Sequence, residues 1–213
     1  MRRLVTGERV DVTDGSGLVA ECVVTAAGAG KLELAVLDKR IEPHPEPTVT
    51  VIQAIPKGDR GELAVELLTE VGADVIVPWA ADRCVAVWRG DRAVKSRARW
   101  SATAEQAAKQ SRRAWFPEVT APVDLVGAVR RVQTAARAIV LDPSGSQPVA
   151  TVGVPDIGEI VIIVGPEGGI THAESDALAG AGAIAVRLGP TVLRASSAGV
   201  VAAGIVLSRT RWA

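Results

Sequence analysis

Two short glycine-containing loops carry the residue types best suited to chemistry in this sequence. The first, residues 165–169, reads GPEGG and follows the apolar run at 160–164, so that a carboxylate stands in the middle of the loop. The second, residues 188–194, reads LGPTVLR. Glycines let main-chain amides and carbonyls approach a ligand closely. These loops are therefore the first candidates for a binding site.

The residues of the first loop favour a neutral or positively charged ligand. A phosphate loop ends in Gly-Lys-Ser/Thr, a sequence that does not follow the glycines here, and the spacing does not match a dinucleotide GxGxxG. Glu167 would repel a phosphate at close range, whereas it can offset a positive charge or accept a hydrogen bond from a nucleoside. The alternative is a tight turn with an exposed glutamate.

The elements that position these loops are predicted strands and helices, which differ in the spacing of their apolar residues. Strand patterns occur at VTVIQAI, DVIVPW, AIVLD, EIVIIVG and AIAVRLG. Helical patterns occur at GELAVELLTEVG, in a long polar helix at about 92–113, and in a last helix at 195–209. Thr171 and Glu174 have the spacing of a capping box at a helix start.

This alternation predicts an α/β fold with a largely parallel sheet covered on both faces. Ligands of such sheets bind beyond the carboxyl ends of the strands. Residues 141–143, 165–169 and 188–194 follow predicted strands and meet this condition.

The first 47 residues have a different pattern. Short β-type runs between residues 8 and 38 are separated by glycine turns, which predicts a small meander or part of a barrel. The stretch IEPHPEP at 41–47 resembles a linker. We therefore expect two domains, at residues 1–45 and 48–213.

Composition excludes several classes of protein. The 213 residues carry 24 basic and 24 acidic side chains, and the charged N-terminus does not resemble a signal peptide. The two cysteines form no CxxC, so we expect neither disulfides nor a metal site, and a cytoplasmic location. The last helix is too short to span a membrane. Its small residues Ala195, Gly199 and Ala203 share one face, which predicts a close helix contact within the chain or in a homodimer.

Charge is nevertheless unevenly distributed. Residues 83–113 contain nine lysines and arginines but only Asp91 and Glu105 as acids. The stretch is either a solvated helix face or a surface that contacts a nucleic-acid backbone.

GPEGG after an apolar strand, followed by LGPTVLRASSA before a small-residue helix, resembles the SPOUT superfamily of knotted methyltransferases. More closely, the chain is similar to its ribosomal small-subunit uridine-N3 methyltransferases. Further matches are KGDR at 57–60, DRC at 82–84, QSRRAWFPEV at 110–119 and LDP at 141–143. The resemblance covers nearly the whole chain in order.

The resemblance implies a C-terminal trefoil-knot domain, a small PUA-like N-terminal β-barrel that holds RNA, and a homodimer with its active site at the interface. The implied cofactor is S-adenosyl-L-methionine, and the implied substrate is one uridine of 16S rRNA in the assembled small subunit. The resemblance also assigns cofactor binding to Leu141, Val164, Gly165, Pro166, Glu167, Gly168, Gly169, Leu188, Gly189, Val192, Leu193 and Arg194. We assign RNA binding to Lys57, Arg60, Arg83, Lys109, Arg112 and Arg113.

Methylation of uracil N3 requires that nitrogen to lose its proton, so an arginine aimed at a uracil oxygen would stabilise the anion. We expect Arg194 to have this catalytic role, with Arg113 of the second copy as the next choice; a surface or ion-paired arginine is the alternative for Arg194. His172 is conceivable as a base, but its position is open in the family motif and a first-turn side chain commonly faces solvent.

Three departures from the family pattern affect these expectations. Arg194 is followed by Ala195, Ser196 and Ser197 where the family usually has x-Glu-Thr, so a carboxylate role there is absent or served by a hydroxyl. Lys109 stands where the family often has glutamate. The match begins at GERVDVTDGSG, and we expect the barrel to lack about its first strand.

Three other functions remain open at this point. One is a nucleotide-binding hydrolase, and another is a non-catalytic RNA-binding protein that kept the fold. The third is a methyltransferase of the same superfamily that acts on another rRNA or tRNA nucleotide, at a ribose 2′-hydroxyl or a guanine.

Overall fold

A computed structural model describes residues 4–28 and 30–213. The chain divides into two compact units. The first comprises the described residues of Met1–His44 together with Arg112–Phe116, and the second comprises Pro45–Ser111 and Pro117–Ala213.

The first unit is an antiparallel meander. Its strands β1 (Arg9–Thr13), β2 (Leu18–Gly28) and β3 (Lys31–Ile41) lie in the order β1-β2-β3, as the short β-type runs predicted. The segment Arg112–Phe116 packs on this sheet, where the indole nitrogen of Trp115 donates to the carbonyl of Glu42 at 3.0 Å. A Cβ on Gly17 would lie 2.7 Å from that indole ring, so only glycine fits there.

The second unit is built on a seven-stranded, entirely parallel sheet. Its strand order is β6-β5-β4-β9-β7-β10-β8. The strands are β4 (Thr48–Ala54), β5 (Val75–Trp79), β6 (Glu118–Val119), β7 (Arg137–Leu141), β8 (Gln147–Pro148), β9 (Glu159–Val164) and β10 (Ile184–Arg187). The central strands are β-branched and buried on both faces, as a parallel sheet requires.

Helices cover both faces of this sheet, which confirms the predicted α/β fold. They are α1 (Arg60–Val71), α2 (Asp91–Gln110), α3 (Leu125–Thr134), α4 (His172–Gly180) and α5 (Ala195–Leu207). One core layer joins α1, α2 and α5 to alternate residues of the sheet such as Val51 and Ile162. The other layer joins α3 and α4 to the opposite set, including Ile52 and Ile163.

The predicted helix at 92–113 is wrong at its C-terminal end. Helix α2 ends at Gln110, and the hydroxyl of Ser111 donates back to the carbonyl of Ala107. Arg112 then has a φ of 56°, the left-handed conformation that stops a helix. Arg112 and Arg113 therefore belong to the first unit and not to the helix. The short strands β6 and β8 and helix α3 were not predicted, and α5 ends two residues before residue 209.

The small-residue face of α5 makes its close contact within the chain. A Cβ on Gly199 would lie 3.1 Å from Val164 and 3.4 Å from both Leu68 and Val51, so the helix lies directly on the sheet and α1. Ala203 is fully buried on the same face. Among the described residues, no helix is both long and apolar enough to cross a membrane.

Candidate functional site

Four neighbouring strands end level with one another at the carboxyl edge of the second sheet. Gln53 of β4 is in register with Val164 of β9, Val164 with Leu141 of β7, and Leu141 with Val186 of β10. Because all four strands are parallel, the segments that follow them leave the sheet at the same edge. This register brings the loops at 142–145, 165–170 and 188–194 together.

A cavity of about 500 Å³ lies between these three loops and the start of α5. Its wall contains every residue that we assigned to cofactor binding except Gly168: Leu141, Val164, Gly165, Pro166, Glu167, Gly169, Leu188, Gly189, Val192, Leu193 and Arg194. Residues that we did not assign to cofactor binding complete it: Asp142, Pro143, Ile170, Val186, Thr191, Ala195 and Ala198. The LDP motif was the signal for Asp142 and Pro143.

The GPEGG loop is closely held in place. The amide of Gly169 donates to the carbonyl of Pro166 at 2.9 Å, and Gly169 has a φ of 75°, which suits glycine. A Cβ on Gly165 would lie 2.6 Å from Ile170, which leaves no room for a side chain there. Gly168 faces away from the cavity lining, where its carbonyl accepts a hydrogen bond from Arg83 Nη1 at 2.9 Å.

Glu174 fastens this loop to the segment after β5. Its side chain is buried, with 1% of its surface exposed. Oε2 accepts from the amide and the hydroxyl of Thr171, both at 2.8 Å, which completes the predicted capping box. Oε1 accepts from the amide of Asp82 at 2.8 Å, a contact between residues 92 positions apart. One carboxylate therefore links the start of α4, directly after the GPEGG loop, to the segment after β5.

Among the residues that the structure describes, the cavity wall carries three charged side chains. Glu167 lies 4.0 Å from Arg60, and both are partly exposed. Asp142 follows β7 directly. Arg194 is exposed at the N-cap of α5, and its carbonyl accepts from the amides of Ser197 and Ala198 at 2.9 Å. The wall is otherwise largely apolar, which suits a ligand with a flat apolar part and a charged part.

The residues assigned to RNA binding are divided between the two units. Lys57 and Arg60 lie after β4, and Arg83 lies after β5, all at the carboxyl edge. Lys109, near the end of α2, is paired with Glu105 at 2.5 Å. Arg112 and Arg113 lie in the first unit.

Two other side chains near the site, Cys84 and His172, differ in their burial. Burial raises the pKa of the Cys84 thiol, so this group stays protonated at neutral pH and is a poor nucleophile. His172, the first residue of α4, is exposed. The described residues contain no cluster of histidine, cysteine and acidic side chains that could hold a metal ion.

Comparison with known proteins identifies the family. The model of the RNA methyltransferase domain family matches residues 43–207. Proteins named ribosomal RNA small subunit methyltransferase E from Mycobacterium bovis and Mycobacterium tuberculosis are 45% identical over 100% of this chain and 83% of their own length. A crystal structure of ribosomal RNA small subunit methyltransferase E from Neisseria gonorrhoeae, bound to S-adenosyl methionine, superposes with a TM-score of 0.86 and 26% identity, covering 98% of this chain and 86% of that one. The chain is therefore a methyltransferase and belongs to the RNA methyltransferase family, in the group of the ribosomal RNA small subunit methyltransferases E.

Proposed function

We propose that this enzyme transfers a methyl group from S-adenosyl-L-methionine to N3 of one uridine of 16S rRNA in the small ribosomal subunit. The observation that carries the proposal is the cavity enclosed by the three loops at the carboxyl ends of β7, β9 and β10. The relatives named as small-subunit rRNA methyltransferases and the solved relative bound to S-adenosyl methionine support the reaction and the cofactor.

The cavity fits this cofactor in size and character. Its volume of about 500 Å³ falls in the usual range for small-molecule sites. Leu141, Ile170 and Leu188 offer apolar surface for the adenine ring. The glycines of the first loop expose main-chain groups to the nucleoside, and the carboxylates of Asp142 and Glu167 suit a ligand with positive charge.

The protein must stabilise the uracil anion and align N3 with the methyl group. When bound, the cofactor would supply a methyl group on a positively charged sulfur. Uracil N3 would lose its proton to solvent, its electron pair would form the bond to the methyl carbon, and the carbon–sulfur pair would stay on sulfur and leave a neutral thioether. The exposed guanidinium of Arg194 stands at the cavity wall, where it can donate to a uracil oxygen that carries the negative charge. Arg113 of a second copy is the alternative donor.

The proposal includes the finer features of the fold. Residues 1–45 would be a PUA-like RNA-binding barrel and residues 48–213 the methyltransferase domain with a trefoil knot. The knot is proposed from the family resemblance. In line with it, α5 packs beside the segment joining β8 to β9, and Arg209, two residues after α5, donates from Nη1 to the carbonyl of Val152 at 2.7 Å. A homodimer and a cytoplasmic location complete the proposal. RNA binding is assigned to Lys57, Arg60, Arg83, Lys109, Arg112 and Arg113.

A methyl-transfer assay tests the proposal directly. The purified protein is incubated with labelled S-adenosyl-L-methionine and small subunits from a strain that lacks this modification, and the rRNA nucleosides are separated by mass spectrometry. We expect 3-methyluridine as the product. A methylated ribose or guanine would show a different target, whereas binding without transfer would show a non-catalytic RNA-binding protein. Saturable ATP binding without affinity for the cofactor would favour a nucleotide hydrolase.

Substitution of Gly165 tests whether the GPEGG loop holds the cofactor. The Cβ of Gly165→Val would collide with Ile170, so either Ile170 or the loop must move within the cavity wall. We expect the dissociation constant for S-adenosyl-L-methionine, measured by calorimetry, to rise roughly 10- to 100-fold.

Gly153→Val is the matched control, because Gly153 lies outside the cavity lining and no heavy atom lies within 4 Å of a Cβ built there. Unchanged affinity in Gly165→Val would remove the loop from the site. Gly168 is less informative than the sequence suggested, since a Cβ there would lie 3.1 Å from Arg83, away from the cavity lining.

A further inference from the structure

The carboxylate of Asp142 is fixed at the wall of the cavity. Its Oδ1 accepts from both the amide and the hydroxyl of Ser144 at 2.7 Å. The Asp142 amide donates to the carbonyl of Val186, and its carbonyl accepts from the amide of Gly145, both at 2.9 Å. The side chain therefore sits in a closed turn immediately after β7, with Oδ2 outside these bonds.

The turn has little freedom to move. Arg187 Nη1 donates to the carbonyls of Gly145 and Ser146 at 2.9 and 2.8 Å. A Cβ on Gly145 would lie 2.5 Å from the main chain of Val186, which shows how closely the turn lies against β10. The position of the Asp142 carboxylate is thus set by the neighbouring strand before any ligand binds. This lowers the entropy cost of ordering the side chain when a ligand binds.

Asp142 contributes the less compensated of the two negative charges at the wall. Glu167 faces Arg60 at 4.0 Å, which offsets part of its charge. Within residues 4–28 and 30–213, no lysine, arginine or histidine forms an ion pair with Asp142. Arg187 bonds to main-chain carbonyls of the turn and not to this carboxylate.

We propose that Asp142 makes the cavity prefer the charged methyl donor to the neutral product, as a specificity-determining residue. This inference rests on the proposed function. The donor carries a sulfonium, an ammonium and a carboxylate, with a net charge of about +1, whereas the thioether product has lost the sulfonium charge and is neutral overall. A fixed carboxylate attracts the donor by Coulomb interaction that the product lacks. The product is then released more readily than the donor.

Replacement by asparagine tests this role with little change of shape. In Asp142→Asn the amide oxygen still accepts from Ser144, but the charge is gone. Calorimetry would compare three probes: S-adenosyl-L-methionine, S-adenosyl-L-homocysteine, and sinefungin, in which an amine-bearing carbon replaces the sulfonium. We expect the affinities for the two positively charged probes to fall about tenfold, the effect of one unit charge at a partly solvated site, and the affinity for the homocysteine compound to stay within about twofold.

The changes in affinity for the three probes, compared with one another, test the role of Asp142. Equal weakening of all three would show that Asp142 binds a part they share, such as the ribose, and would overturn the inference, as would three unchanged affinities. Retained binding of the neutral product by the variant also reports that the cavity is folded. If the unaltered protein binds none of the three, the proposed function itself fails. Asp156→Asn, an exposed aspartate outside the cavity lining, is the control for a general change in net charge.

Discussion

Arg194→Ala is expected to lower the turnover number roughly 10²- to 10³-fold, the cost of losing one donor to a developing oxyanion, or about 3–4 kcal/mol. Arg194 is also assigned to cofactor binding, but alanine keeps the main chain of this residue at the cavity wall, so cofactor affinity should fall much less than turnover. The fold should persist, since the side chain is exposed and the cap bonds of α5 use the main-chain carbonyl. Turnover on small subunits and calorimetry with the cofactor would measure the two effects separately.

Two further variants sharpen this experiment. Arg194→Lys keeps the charge but loses the planar fork of donors, so it should recover only part of the activity. Arg130→Ala removes an exposed arginine of α3 outside the cavity lining and should leave turnover unchanged. Near-normal turnover in Arg194→Ala would show that the catalytic assignment is wrong and would direct attention to Arg113.

Glu174→Ala is expected to lower the free energy of unfolding of the second unit by about 3 kcal/mol. The substitution removes a buried carboxylate, so the part-buried amides of Asp82 and Thr171 each lose a hydrogen bond to a charged acceptor, and such bonds contribute about 1.5–3 kcal/mol each. Urea unfolding followed by fluorescence of the buried residues Trp79 and Trp100 would report this change. The affinity for the cofactor should fall as well, because the GPEGG loop loses its link to residue 82.

The loss should be specific to this carboxylate. Asp176→Ala, on the exposed side of the same helix, is expected to change the free energy of unfolding by no more than about 0.5 kcal/mol. Glu174→Gln should lie between the two, since an amide retains one accepting oxygen but turns a donor toward one of the amides. Equal stability of Glu174→Ala and the unaltered protein would show that the two loops are held by other contacts.

The alternation of strands and helices was predictable because each element of the second unit carries its own periodicity. Val49, Val51, Ile160 and Ile162 are β-branched residues in short runs, and the capping box at Thr171 marks the start of α4. The end of α2 was not predictable, because its basic pattern continues through Arg112 and Arg113. The residues that follow them, 114–116, pair with residues 15–17 in the turn between β1 and β2, about 100 positions earlier, and no local pattern reveals this contact.

The candidate site was predictable where it depends on loops that follow strands. The sequence located both glycine loops, and parallel strands had to place them at one edge of the sheet. It did not reveal that Gly168 supports Arg83 instead of lining the cavity, or that Glu174 reaches Asp82. These contacts depend on the order of strands in the sheet, which sequence spacing does not encode.

The insertion of Arg112–Phe116 into the first unit bears on how the protein is made. During translation, the three strands of that unit emerge well before Trp115, whose indole donates to Glu42 and fills the space over Gly17. Its assembly must therefore wait until β4, α1, β5 and α2 have also left the ribosome. An isolated fragment that stops at His44 lacks residues 112–116, which pack on its sheet. The first unit therefore cannot complete its folding as soon as its strands have been synthesised.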